Sequence, residues 1–437
     1  MMRRNLFYIS CILLLMVAGN LFSQSHTADT LTVDQAIQLT VENHPLIRQA
    51  TEGINASRAN VEVSRSSYYP GVTGEASYSR IGPTPKLNFL GESFSLFPAN
   101  NYDFHVGANQ RVYDFGKRST AVELAKSGIE SASDNLGLVK SNLTFRTIQV
   151  FYAILFLQQN QSVLDEEISA LNAHIEVTRK MAETGSATEF EVLTTKVRVA
   201  DAENRKVDVQ NALNRQNILL HQLTGIPMQK EIKLSGQFAR TPIELNTDSL
   251  VSTALNLRPE YQLAKDAITS AEIRQRLASI GDRPDLDLHL LAGLKNGFIP
   301  NLNTIKFNWV AGVQLQVPVF NGFRTRYQTQ EARANLEAAR AHIQDVQRRI
   351  VSEVQQEVAN VKASEEKLKT SQVQLAQARE ALSMAKTRFE IGMVTNLDLL
   401  DAQTSLSQAE LNHLRSLYNY VQNRYALENA IGKKLWK

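Results

Sequence analysis

The chain has 437 residues, 43% apolar and 21% charged, with 47 Lys and Arg against 44 Asp and Glu and a formal net charge of +3. That size and balance exclude a disordered tail and offer no basic surface for nucleic acid, and the single cysteine excludes a disulfide scaffold.

At the amino terminus, Arg3 and Arg4 precede an apolar stretch from Leu6 to Ala18, with the small residue Ser23 after it. The stretch is shorter than the roughly 20 residues a spanning helix needs, so residues 1–23 read as a secretory signal peptide cut near Ser23. Cys11 lies inside it, too early in the apolar core for a lipidated cysteine. The mature chain is therefore expected to lack cysteine and to carry 45 basic against 44 acidic side chains.

A first structural repeat is read over 24–247, with a helix, strands at about 71–81 and 102–113, and a long helical hairpin turning near 185. Tyr102, Phe104, Val106 and Ala108 alternate with Asp103, His105, Gly107 and Asn109, which is strand periodicity, and Val72 to Arg80 supply a weaker partner. Between them Gly82-Pro83-Thr84-Pro85 and Pro98-Ala99-Asn100-Asn101 signal a loop. No proline occurs over 99–226, which permits a long helical block.

A second repeat is read over 248–437, with a helix from Ser249 to Ile280, strands at about 284–294 and 308–319, and a hairpin turning near 392. Leu286, Leu288 and Leu290 stand opposite Asp287 and His289, and Trp309, Ala311, Val313, Leu315 and Val317 alternate with Val310, Gly312, Gln314 and Gln316. A helix from Phe323 to Ile391 would be roughly 100 Å long, more than a globule holds. Val354, Val361, Leu368, Leu375, Leu382 and Phe389 recur every seven residues along it, a coiled-coil seam. Gly392 is expected to end the rod and Thr395 or Asn396 to cap the return arm, about Asn396 to Ala430. That arm covers only half the seam, and Ser249 to Ile280 has the length to cover the rest. An offset of 207 places pairs Gly185 with Gly392 and Gly225 with Gly432, and an earlier offset of 214 pairs Pro45 with Pro259 and Pro70 with Pro284. Two such repeats are a duplication, too long in period for a solenoid.

The strands have the length that crosses an outer membrane at a tilt. Aromatics gather at their ends, Tyr68, Tyr69, Tyr113, Phe115, Phe320 and Phe323 on one side and Tyr78, Tyr102, Phe298, Phe307 and Trp309 toward the other. Four strands cannot close a barrel, and an open sheet in lipid leaves unpaired edges, so oligomerisation is expected. The fold class is mainly α with a small β part: long antiparallel helical hairpins plus four strands contributing to a shared barrel.

These residues resemble the TolC-like outer-membrane efflux proteins, the outer membrane factors, from about Leu31 to the end. The resemblance is carried by Asn43-His44-Pro45 and Arg258-Pro259-Glu260, by Val112-Tyr113-Asp114-Phe115-Gly116 and Val317-Pro318-Val319-Phe320-Asn321-Gly322, and above all by Arg388-Phe389-Glu390-Ile391-Gly392 followed by Asp398-Leu399-Leu400-Asp401. It implies a homotrimer whose copies close one twelve-stranded transmembrane barrel in the outer membrane of a Gram-negative bacterium, with the helices forming a periplasmic tunnel. It also implies export of small molecules or proteins in a tripartite efflux or type I secretion system, with a periplasmic adaptor (membrane fusion) protein and an inner-membrane RND or ABC pump as partners. By the same resemblance Thr184, Gly185, Ser186, Ile391, Gly392 and Met393 are adaptor-contact tips. Asp398 and Asp401 match the family's acidic entrance rings, with Glu191 and Thr194 as their first-half counterparts. Rings of like charge are expected to raise one another's pKa and attract cations. A tyrosine and an arginine that lock the entrance in the best-known member fall here on Phe389 and Val394, which cannot make the same polar bonds.

Other classes find less support. The eight histidines are scattered, no His-Glu-x-x-His occurs, and Gly116-Lys117-Arg118-Ser119 lacks the glycine and the Lys-Ser/Thr order of a phosphate loop. His105 and His289 fall on polar strand faces, so no enzyme, metal or cofactor is predicted. A secreted coiled-coil scaffold or surface adhesin would explain the heptads but not two strand hairpins placed identically in both halves.

Overall fold

The computed structural model describes residues 30–89, 91–241 and 243–436. The expected signal peptide over 1–23, with Cys11, lies outside the described residues.

The chain opens with a short strand β1 (Thr30–Leu31) and helix α1 (Val33–Asn43). Thr32 caps α1 through a box, its hydroxyl accepting the Gln35 N–H while the Gln35 side chain accepts the Thr32 N–H at 2.8 Å. Pro45 then forces His44 into an extended conformation, ending α1 and starting α2 (Pro45–Ser66). The second repeat does the same at Arg258, where φ is −70° and ψ is 125°. The single helix expected over Ser249 to Ile280 is thus two, α5 (Thr247–Leu257) and α6 (Pro259–Ser279), because proline disfavours the helical region for the residue before it. Both lie against the long helix of the second repeat, α6 along more of it than α5.

Strand β2 (Gly71–Arg80) leads through a small hairpin, β3 (Lys86–Phe89) and β4 (Glu92–Ser95), to β5 (Asn100–Tyr113). The expected loop is therefore partly strand, and Asn100 and Asn101 already pair with Arg80 and Ser79. In the second repeat β7 (Asp285–Lys295) and β8 (Lys306–Gln316) form the matching hairpin. β8 stops short of Pro318, which has no N–H to donate. The four long strands form one antiparallel sheet in the order β2-β5-β7-β8.

The rods α3 (Lys117–Glu183) and α7 (Arg324–Glu390) each run 67 residues, about 100 Å. Their return arms are α4 (Glu189–Thr224) and α8 (Asn396–Ala430), so every boundary of the first hairpin recurs 207 residues later within one residue. Along α7, Val354, Val361, Leu368 and Leu382 are buried. Nearest the sheet the helices lie side by side as α2-α3-α6-α7, and farther out as α4-α3-α8-α7.

The densest core lies midway, around Ile148, Phe151, Ile154, Leu220, Val354, Val421 and Leu427. Across it passes the connector between α4 and α5, which includes β6 (Lys233–Leu234), paired in parallel with β1. Gly236 lies so close that an added Cβ would meet Leu155 Cδ1 at 2.9 Å. Arg240 reaches Glu365 at 3.0 Å, and the Tyr420 hydroxyl donates to the Thr241 carbonyl at 2.9 Å. This strap binds both repeats at one level.

Candidate membrane sheet and channel entrance

The strand register separates two chemistries. Gly107 pairs with Thr73 and Leu291, and Val106 pairs with Gly74 and Ala292, so the side chains of each row share one face. One face carries Val72, Phe104, Val106, Leu290, Leu294, Phe307, Trp309, Val313 and Leu315, all exposed in the single chain. The other carries Glu75, Asp103, His105, Asn109, Arg111, Asp287, His289 and Gln314. There Arg111 donates to Asp287 at 3.0 Å, and the two ring nitrogens of His289 contact Asn109 at 2.7 Å and Gln314 at 3.0 Å. A continuous apolar sheet face backed by a polar one matches a wall between lipid and water. Among the described residues no helix is long and apolar enough to cross a membrane. No cluster of three or more His, Cys, Asp or Glu among them is placed to hold a metal ion.

The turn from strand to rod uses two consecutive left-handed residues in each repeat. They are Phe115 (φ +54°) and Gly116 (φ +95°) in the first, and Gly322 (φ +65°) and Phe323 (φ +63°) in the second. The duplication thus keeps the backbone and exchanges which residue is phenylalanine. Phe115 packs edge-on against Tyr113 with ring centres 4.7 Å apart, and Phe323 against Phe320 at 5.4 Å. Tyr78 and Tyr102 meet at 5.2 Å near the opposite end of the sheet.

At the far end of the molecule Gly185 (φ +76°) and Gly392 (φ +72°) make the hairpin tips, where Ser186 N–H donates to Met181 O at 2.7 Å and Met393 N–H to Arg388 O at 2.8 Å. Thr184, Ser186, Ile391 and Met393 are all exposed beside them. Neither tip glycine would bring a Cβ within 4 Å of another part of the chain.

The entrance candidates sit one turn further on. Asp398 is the third residue of α8, and its carboxylate accepts the Thr395 N–H at 2.8 Å and the Thr395 hydroxyl at 2.7 Å. The hydroxyl bond and then the backbone bond hold its carboxyl below the ordinary carboxylate pKa. Glu191 repeats the arrangement on Thr188, at 2.6 Å and 3.0 Å. Asp401 faces a partner that the sequence reading missed: Arg198 of α4 donates to it at 2.9 Å and to the Thr404 hydroxyl at 2.9 Å. Phe389 lies edge-on to the His174 ring with centres 5.6 Å apart. A His174 ring nitrogen is hydrogen-bonded to Asn396, the first residue of α8. Arg198 and His174 carried no sequence signal because each contact joins residues more than 200 positions apart across the two repeats.

Residues 36–226 and 250–433 match the family described as Outer membrane efflux protein. The chain is 24% identical over 400 residues to the outer membrane protein TolC of Vibrio cholerae, covering 90% of this chain and 88% of that one. It is 26% identical over 316 residues to protein CyaE of Bordetella pertussis, a match covering 71% of this chain and 64% of CyaE. The crystal structure of the CmeC outer membrane channel of Campylobacter jejuni has the same fold, with a TM-score of 0.80 at 17% identity over 92% of this chain and 86% of that one. With both helical hairpins and the shared sheet inside the matched segments, the chain belongs to the outer membrane efflux protein family.

Proposed function

We propose that three copies of the chain close one twelve-stranded barrel and one helical tunnel, through which small molecules or proteins leave the periplasm. Family membership makes the protein an outer-membrane efflux channel with its helices in the periplasm, and neither an enzyme nor a secreted scaffold. The trimer reading rests chiefly on the sheet, whose outer strands β2 and β8 have no further neighbour among the described residues although one face is largely apolar. The helical layer supports it, since the outer side of α4 leaves Phe190, Val197, Val207 and Ile218 exposed in a coiled-coil-like row that a neighbouring copy would cover. We read residues 1–23 as a signal peptide, 24–247 as the first repeat and 248–437 as the second. The tips around Gly185 and Gly392 are read as the contact for a periplasmic adaptor serving an inner-membrane RND or ABC pump, because they are the part of the rods farthest from the sheet. Asp398 and Asp401, with Glu191, are read as carboxylates at the periplasmic entrance.

Mild-detergent extraction of an outer-membrane fraction tests the assembly. A species three times the mass of one chain is expected; a monodisperse monomer with its strand signal intact would overturn the reading.

A further inference from the structure

The two strand hairpins of the sheet are joined differently at the end that faces away from the rods. β7 passes to β8 through a turn over 296–305, whereas β2 reaches β5 through the β3–β4 ribbon, and the first repeat carries seven additional residues in this stretch. Register sets Leu87 opposite Phe94 and Lys86 opposite Ser95, and the Leu96 N–H donates to the Pro85 carbonyl at 3.1 Å. Leu87 and Leu96 therefore share one face of the ribbon, with Lys86, Asn88 and Ser95 on the other. Leu87 is 54% and Leu96 42% exposed, while in the β7–β8 turn Ile299 is 80% and Ile305 46% exposed. The ribbon and the turn already meet within one chain. The Tyr102 N–H donates to Asn296 at 2.8 Å, the Asn296 amide donates to the Asn100 carbonyl at 2.7 Å, and a Cβ at Gly297 would meet Pro98 at 3.8 Å. That contact leaves the leucines and isoleucines bare. They stand beyond the Tyr78–Tyr102 pair, which marks where the lipid band ends, so they face water unless protein covers them.

We propose that the β3–β4 ribbon of one copy packs its Leu87 and Leu96 face on the β7–β8 turn of the next copy, around Ile299 and Ile305, and so latches each seam of the barrel on its outer side. This rests on the trimer reading. β2 runs away from the rods and β8 runs back toward them, so the free edges of neighbouring copies meet antiparallel, like every other pair in the sheet. The ladder of β2 continues past Arg80, with the Ile81 N–H donating to the Ala99 carbonyl at 2.8 Å, and Ile81 is itself 47% exposed. Closing the seam brings Ile305, the residue before β8, to the same end as Ile81 of the neighbour, directly under the ribbon that β2 leads into. The contact is head-to-tail: each copy gives its ribbon to one neighbour and its turn to the other, and three such contacts close the ring. Strand pairing then holds the seam within the membrane, and an apolar contact holds it above.

Cross-linking in outer-membrane fractions with a short bismaleimide tests the latch, with wild type treated alike as the control for Cys11. Leu87→Cys with Ile299→Cys in one chain is expected to give a covalent trimer on denaturing gels, and either substitution alone to give none. Co-expressed Leu87→Cys and Ile299→Cys chains should give covalent dimers, which a contact inside one chain cannot produce. Leu87→Ser with Leu96→Ser should lower the temperature at which the trimer separates in detergent by several degrees. A double-cysteine trimer that stays uncross-linked, or an unchanged separation temperature, overturns the latch and leaves the trimer standing. Dimers from Leu87→Cys alone overturn it too, by setting the ribbons against one another over the mouth. Cysteines shielded from an aqueous maleimide only in lipopolysaccharide bilayers, with no cross-link, would give the ribbon to the outer leaflet instead. Wild type that runs as a monomer in mild detergent would sink the trimer reading beneath the latch.

Discussion

Asp398 and Gly432 show how differently single residues are constrained here. The Thr395 bonds that cap α8 favour the ionised form of Asp398, so its folded pKa lies below its unfolded one. Its contribution is fully present above the ordinary carboxylate range near pH ~4 and is lost as the pH falls through the depressed value. Cation selectivity in bilayer recordings is therefore expected to hold steady on mild acidification and to decay only below about pH 4. Asp398→Asn with Asp401→Asn should reduce both selectivity and multivalent block at neutral pH, and unaltered behaviour would return both residues to plain helix-start charges. At Gly432 the constraint is steric. With φ at +73°, an added Cβ would lie 2.8 Å from the Arg258 nitrogen and 2.8 Å from the Leu257 carbonyl carbon. Gly432→Ala is expected to destabilise the chain by about 1–3 kcal/mol, read as a lower thermal midpoint.

Among the elements, the hairpin tips separate docking from folding. A side chain at Gly185 or Gly392 meets nothing within 4 Å, so replacement costs only the left-handed backbone, about 1–2 kcal/mol at the end of a long hairpin. Arginine at both positions should abolish export measured in cells while the trimer and its membrane insertion survive; wild-type export would show that the adaptor docks elsewhere. These tips, the heptads through Val354 and Val361, and the alternation from Tyr102 to Ala108 were legible because each pattern is local and repeats at a fixed period. The β3–β4 hairpin was not, since Lys86–Phe89 is too short for alternation to emerge between flanking prolines. The division at Arg258 was written in Pro259, but the 3.6-residue pattern on either side masked it. Contacts such as Arg198 to Asp401 had no pattern to read, because they depend on how one repeat lies against the other.

On the scale of the whole molecule, four helical segments reach the same level. α3 and α7 have equal length, and α4 and α8 climb back from their tips to the strap that binds both repeats. One added heptad spans ~10 Å of helix, and placed in a single rod it leaves one tip protruding and its seam with the neighbours out of register. Seven residues inserted at one level in α3, α4, α7 and α8 together should preserve the trimer, whereas the same insertion in α7 alone should lose it on seminative gels. The distance from the outer membrane to the tips is then a jointly encoded ruler. It can drift only in whole heptads and only in concert, so the gap that a partner must bridge is inherited as a discrete length and not as a continuous one.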